Sequence, residues 1–165
     1  MREVKHSALV SQPPSRLFAL INDIESYPQF VPWCTHAKVL SRSDREIVAT
    51  IGVRRGPLRG EFTTRNDLEP DRRILMHLVS GPFKMLEGEW LLAPIAAPAA
   101  NGVPATNSTP ATPAPGPGRA GTRVQLTMKF AFRNPLTAVL FEQKFAETTS
   151  SLMDAFVARA RGLPP

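Results

Sequence analysis

The chain has 165 residues, 42% hydrophobic and 21% charged, enough for a single domain spanning 1–165 with its own core. Its 20 Lys and Arg exceed its 14 Asp and Glu, and a net charge of +6 favours acidic partners such as RNA, an anionic lipid surface or an acidic protein, besides keeping the protein soluble. No apolar run approaches the ~20 residues that span a bilayer, the first residues lack a signal-peptide core, and the single Cys34 excludes an internal disulfide and a structural zinc site, so a cytoplasmic protein is expected.

Val4 to Val10 reads as a first strand, ended by Pro13-Pro14, where Pro14 suits a first helical turn. A short helix follows over Arg16–Ile21, then a second helical turn over Ser26–Phe30 and a stiff apolar link, Val31-Pro32-Trp33. From His36 onward the pattern turns to strands, with candidates at 35–43, 45–54, 58–69, 72–80 and 83–93. Connections as short as Gly56-Pro57, Pro70-Asp71 and Gly81-Pro82 force neighbouring strands to run antiparallel. From Ile95 to Gly118 no residue is charged and six of the 17 prolines fall there, so 95–120 reads as a flexible Ala/Pro-rich hairpin insertion. Val124, Leu126, Met128, Phe130 and Phe132 then alternate with Gln125, Thr127, Lys129, Ala131 and Arg133, a strand with one dry and one wet face.

The last element is a helix over 135–161, with Asn134 as N-cap, Pro135 in the first turn, Arg159 and Arg161 in the last turn and Gly162 as its stop. Phe141, Phe145, Thr148, Leu152 and Phe156 form one stripe, whose natural partner is the dry face of the sheet.

Tyr27-Pro28-Gln29-Phe30-Val31-Pro32-Trp33-Cys34 resembles the YPxFxPWC signature of the coenzyme Q-binding START family, which includes the RatA-type ribosome-association toxins. Gly81-Pro82-Phe83-Lys84-Met85-Leu86-Glu87-Gly88-Glu89-Trp90 is similar to that family's GPFKxLxGxW block, and Phe62–Asn66 and Ala155–Ala160 match two weaker ones. The likeness covers the whole chain except about 95–120, an insertion longer than the family's usual turn. It implies an α+β helix-grip fold: a curved antiparallel sheet wrapped around the C-terminal helix, with two short helices after the first strand.

A helix laid across a curved sheet leaves an apolar hollow. Its expected lining is Phe30, Trp33, Phe62, Thr64, Asn66, Met76, Leu78, Trp90, Met128, Phe130, Phe145, Leu152 and Phe156, with Thr64 and Asn66 as its polar contacts. For any one apolar residue of this set, plain core packing competes with ligand contact. The resemblance implies a non-catalytic carrier of ubiquinone or a related polyprenyl lipid that supports respiratory electron transport, with no other cofactor and with transient contact at the inner membrane. The alternative is a RatA-type toxin that binds the large ribosomal subunit and blocks subunit association and translation initiation. Arg54, Arg55, Arg59, Arg72 and Arg73 are the candidate anion or ribosome contacts, if they share one rim. No nucleophile motif, metal spacing or phosphate loop is present, Glu61, Glu87 and Glu89 alternate away from the dry face, and an enzyme is not expected. His6, His36 and His77 are scattered and are not expected to ligate a metal.

Overall fold

A computed structural model describes residues 1–95 and 121–162 of the chain. Its elements run β1 (Arg2–Val10), α1 (Pro14–Asn22), a 3-10 turn (Ile24–Ser26), α2 (Tyr27–Phe30), β2 (Cys34–Arg42), β3 (Glu46–Arg55), β4 (Leu58–Glu69), β5 (Arg73–Ser80), β6 (Phe83–Ile95), β7 (Gly121–Phe132) and α3 (Ala138–Arg161). The seven strands form one sheet in the order β1-β7-β6-β5-β4-β3-β2, every neighbouring pair antiparallel. The expected helix-grip architecture is present.

Local chemistry sets the corners. Gly56 takes φ +58 ahead of Pro57, whose ring fixes φ near −65°, the pairing a type II′ hairpin turn demands, and Arg55 directly opposes Leu58. Register shifts interrupt β2/β3, β4/β5 and β6/β7, and each such bulge adds bend and twist, which curls the sheet into a trough. The dry face then has a concavity to fill, and α3 lies in it.

Phe145 is the centre of that packing, with ring centroids 4.7 Å from Phe130, 5.0 Å from Phe83 and 5.9 Å from Phe62. Farther along α3, Phe156 meets Tyr27 at 5.2 Å and Trp90 at 5.3 Å, so the helix joins α2 to the sheet. Two hydrogen bonds fasten its far end: Gln12 Nε2 donates to the Ala160 carbonyl at 3.1 Å, and Thr122 Oγ1 to that of Gln12 at 2.7 Å. The helix starts later than the sequence suggests. Asn134 Oδ1 accepts from the Leu136 backbone N–H at 2.9 Å and so closes a separate turn, and α3 begins only after Thr137. Among the described residues no helix is long and apolar enough to cross a membrane. The expected insertion at 95–120 lies, beyond Ile95, outside the described residues; Ile95 and Gly121 on either side of it are cross-strand partners.

Candidate functional site

The trough is not filled completely. A hollow of about 50 Å³ remains between α3 and the sheet. Trp33, Phe62, Thr64, Asn66, Met76, Trp90, Met128, Phe145 and Leu152 line it as the alternation predicts. It also takes Tyr27, Ile21 and Ile24 from the helical segment, Ala49, Ile51, Ile74 and Leu86 from the sheet, and Thr148 and Thr149 from α3. The α3 contribution could have been read from spacing: 145, 148, 149 and 152 are i, i+3, i+4 and i+7, one face of a helix.

Four expected lining residues lie elsewhere. Phe130 is fully buried against Phe145 and Phe132, where the core is solid. Phe156 closes over Tyr27, Phe30 and Trp90, past the end of the hollow. Phe30 is only half-buried, and its outer side carries the Arg159 guanidinium 4.8 Å from the ring centroid. Leu78 stands beside the bulge in β4/β5, half-buried and outside the cavity. In each case strand or helix periodicity gives the right face but not the depth at which the concavity ends.

The polar groups of the wall are few and specific. Thr64 Oγ1 donates to Asn66 Oδ1 at 2.8 Å, leaving the Asn66 amide nitrogen without a partner among the described residues. Thr148 and Thr149 both donate to the Phe145 carbonyl, at 2.6 and 3.1 Å, as helix hydroxyls do when no better acceptor is near. The Tyr27 hydroxyl donates to the Ile21 carbonyl, and burial holds its pKa far above the ordinary range. Trp33 is 5% exposed, and its indole N–H has no hydrogen-bond partner among the described residues, an arrangement that costs about 1–3 kcal/mol. None of the lining residues is Asp, Glu, His, Lys or Arg. Cys34, adjacent to Trp33, is buried and its thiol is pushed up to about 11, so it is neutral at physiological pH.

Two of the three histidines bond to neighbours on the outer face, His36 Nε2 to Glu61 at 2.8 Å and His77 Nε2 to Asp67 at 3.0 Å, while His6 Nε2 is buried with no hydrogen-bond partner among the described residues. Among the described residues no His, Cys, Asp and Glu cluster could hold a metal.

The five candidate arginines do not share one rim. Arg54, Arg55 and Arg59 belong to the β3–β4 hairpin, whereas Arg72 and Arg73 sit at the opposite end of β4, about 35 Å away along a twelve-residue strand. Two are also neutralised: Arg55 Nε reaches Glu147 at 3.1 Å, and Arg73 Nε lies 3.4 Å from Glu69 and 3.3 Å from Glu89. Arg54, Arg59 and Arg72 are exposed and have no ion pair among the described residues.

Comparison with known proteins adds to this geometry. Residues 10–157 match the family described as polyketide cyclase / dehydrase and lipid transport. The Ribosome association toxin RatA of Vibrio cholerae serotype O1 is 34% identical over 161 residues, covering 98% of this chain and 96% of the relative. The protein of the same name from Escherichia coli K12 is 31% identical, covering 98% and 88%. Among solved structures, a START superfamily protein from Mycobacterium smegmatis superposes with a TM-score of 0.72 at 18% identity, covering 98% of this chain and 99% of the other, a likeness of fold. The curated relatives overturn the expectation of a ubiquinone carrier for respiration and favour the ribosomal alternative. The hollow agrees with that correction: about 50 Å³ falls well below the ~300–1,000 Å³ of ordinary small-molecule sites.

Proposed function

This chain belongs to the polyketide cyclase/dehydrase and lipid transport family, and from that premise we propose that it is a ribosome-association protein of the kind its curated relatives are named for. In this reading it works in the cytoplasm, binds the large ribosomal subunit, hinders joining of the small subunit and so blocks initiation of translation. The observation that carries it is likeness over 98% of the chain to proteins of that name, at 31–34% identity. The net charge of +6 fits it, because RNA phosphates reward unpaired Arg and Lys by releasing condensed counterions.

The reading is non-catalytic. Acid–base chemistry needs a positioned proton donor and acceptor near neutral pKa, and the cavity wall supplies an amide, threonine hydroxyls, an indole and a high-pKa tyrosine. What that wall suits is a small, largely apolar occupant carrying one hydrogen-bond acceptor for the Trp33 N–H.

Co-sedimentation with purified ribosomal subunits tests the proposal. The protein is expected to travel with the large subunit and to leave it as salt rises from 50 to 200 mM. Migration at the top of the gradient at low salt would refute the proposal.

A further inference from the structure

Ion pairing is dense on the outer face of the sheet, which makes its exceptions informative. Around the β3–β4 hairpin, Glu61 is engaged by His36 at 2.8 Å and Glu46 by Arg65 at 3.8 Å. Asp67 meets Arg65 at 3.5 Å and His77 at 3.0 Å, and on the inner side Glu147 holds Arg55 and Lys144. Arg54 and Arg59 remain. They are cross-strand register partners, both exposed, and neither has an ion pair or side-chain hydrogen bond among the described residues.

Their positions follow from the turn. In a two-residue hairpin Arg55 and Leu58 exchange the closing hydrogen bonds, so Arg54 and Arg59 form the next, non-hydrogen-bonded pair, where side chains stand closest. Two like charges placed directly opposite destabilise a hairpin. The fold holds two guanidinium forks side by side at the turn, neither in an ion pair among the described residues.

We infer that Arg54 and Arg59 form a clamp for a phosphodiester of ribosomal RNA. The inference rests on the ribosomal reading above and adds the contact surface. Guanidinium forks match phosphate oxygens in pairs, and two of them about 5 Å apart at Cβ can close on a single phosphate group. No aromatic side chain flanks the pair on the outward positions of β3 and β4, which are Glu46, Val48, Thr50, Gly52 and Arg54, and Arg59, Glu61, Thr63, Arg65, Asp67 and Glu69. The surface therefore grips the backbone and does not stack bases. A lipid surface fits less well. The exposed apolar residues Leu136, just before α3, and Val139 and Leu140, in its first turn, lie on the inner side of the sheet, whereas the pair projects from the outer side; an interfacial site needs both in one plane.

The test compares the full chain with Arg54→Gln/Arg59→Gln in binding to purified large subunits and, as a separate probe, to a short A-form RNA duplex. Each lost phosphate contact lowers the slope of log K against log salt by about 0.7–0.9, which at 0.1 M salt amounts to about 25- to 60-fold weaker binding for two. That loss, with the thermal midpoint unchanged or raised because the like-charge pair is gone, is the expected result. Arg72→Gln, at the other end of β4, is expected to change binding much less. Wild-type binding to the subunit with an unaffected double variant overturns the clamp and leaves the ribosomal reading standing. No wild-type binding to the subunit, with duplex binding that still depends on the pair, refutes the ribosomal reading and retains a phosphodiester clamp. Duplex binding independent of the pair, or preference of the pair for anionic phospholipid vesicles over RNA, overturns the inference.

Discussion

Phe145 is where the account of the interior can be broken with one substitution. Its ring touches Phe62, Phe83, Phe130 and Phe132 and forms part of the cavity wall. Burying a Phe side chain contributes about 1.5–3 kcal/mol. Phe145→Ala also enlarges a hollow whose walls are fixed by the sheet, and residual void adds about 24 cal/mol per Å³. Four ring neighbours on three strands cannot all move inward, so the cost belongs in the upper part of the usual Phe→Ala range of about 3–5 kcal/mol. At about 2–4 °C per kcal/mol for a chain of this size, the thermal midpoint falls by about 8–20 °C. Urea denaturation followed by circular dichroism measures the loss, with the slope against urea unchanged if only packing is altered. Phe141→Ala is the internal comparison: that ring is half-buried at the edge of the core and its one ring contact among the described residues is Phe132, at 5.6 Å, so the loss is expected to stay below about 2 kcal/mol. Equal losses for the two variants would refute the placement of α3 in the trough.

Other perturbations test the polar groups. Trp33→Phe removes an unpaired buried donor together with some apolar area, two effects of about 1–3 kcal/mol and opposite sign, so stability changes by less than about 1 kcal/mol; a loss above ~3 kcal/mol would mean the N–H is bonded. The Cys34 thiol, raised by burial to about 11, favours the fold below pH ~9, and that contribution is lost as pH rises through 11; Cys34→Ala flattens this alkaline decline, and alkylation at pH 8 is about 100-fold slower than for a free thiol. Glu147 is held below the usual carboxylate range first by the hydrogen bond from Arg55, so its contribution is present above pH ~4.3 and lost as pH falls through its lowered value; Glu147→Gln costs stability at pH 7 and none near pH 2, by urea denaturation at each pH.

Much of the fold is legible in the sequence because each face repeats a simple period. The strand read at 58–69 has the observed bounds of β4, and Phe62, Thr64, Asn66 and Leu68 share its buried face. Short turns containing Gly or Asp force the meander, and Gly56-Pro57 alone fixes one register. The helix starts three residues later than the sequence predicts because Asn134 is a good cap for any turn, and the sequence does not say whether that turn continues into a helix. The hollow was harder to read. Alternation says that Phe130 and Met128 both point inward, but only the curl of the sheet decides that Met128 faces space and Phe130 faces Phe145. Pairing between distant residues is not periodic at all, so nothing in the sequence indicates that Glu147 neutralises Arg55 while Arg54 has no ion pair among the described residues.

The most direct measurement of the central claim is the rate at which purified small and large ribosomal subunits join, followed by light scattering at fixed magnesium and low salt. Adding the protein at a few-fold excess over large subunits is predicted to slow joining and lower its final amplitude, with the effect fading as salt rises. Unchanged kinetics at saturating protein would contradict the account.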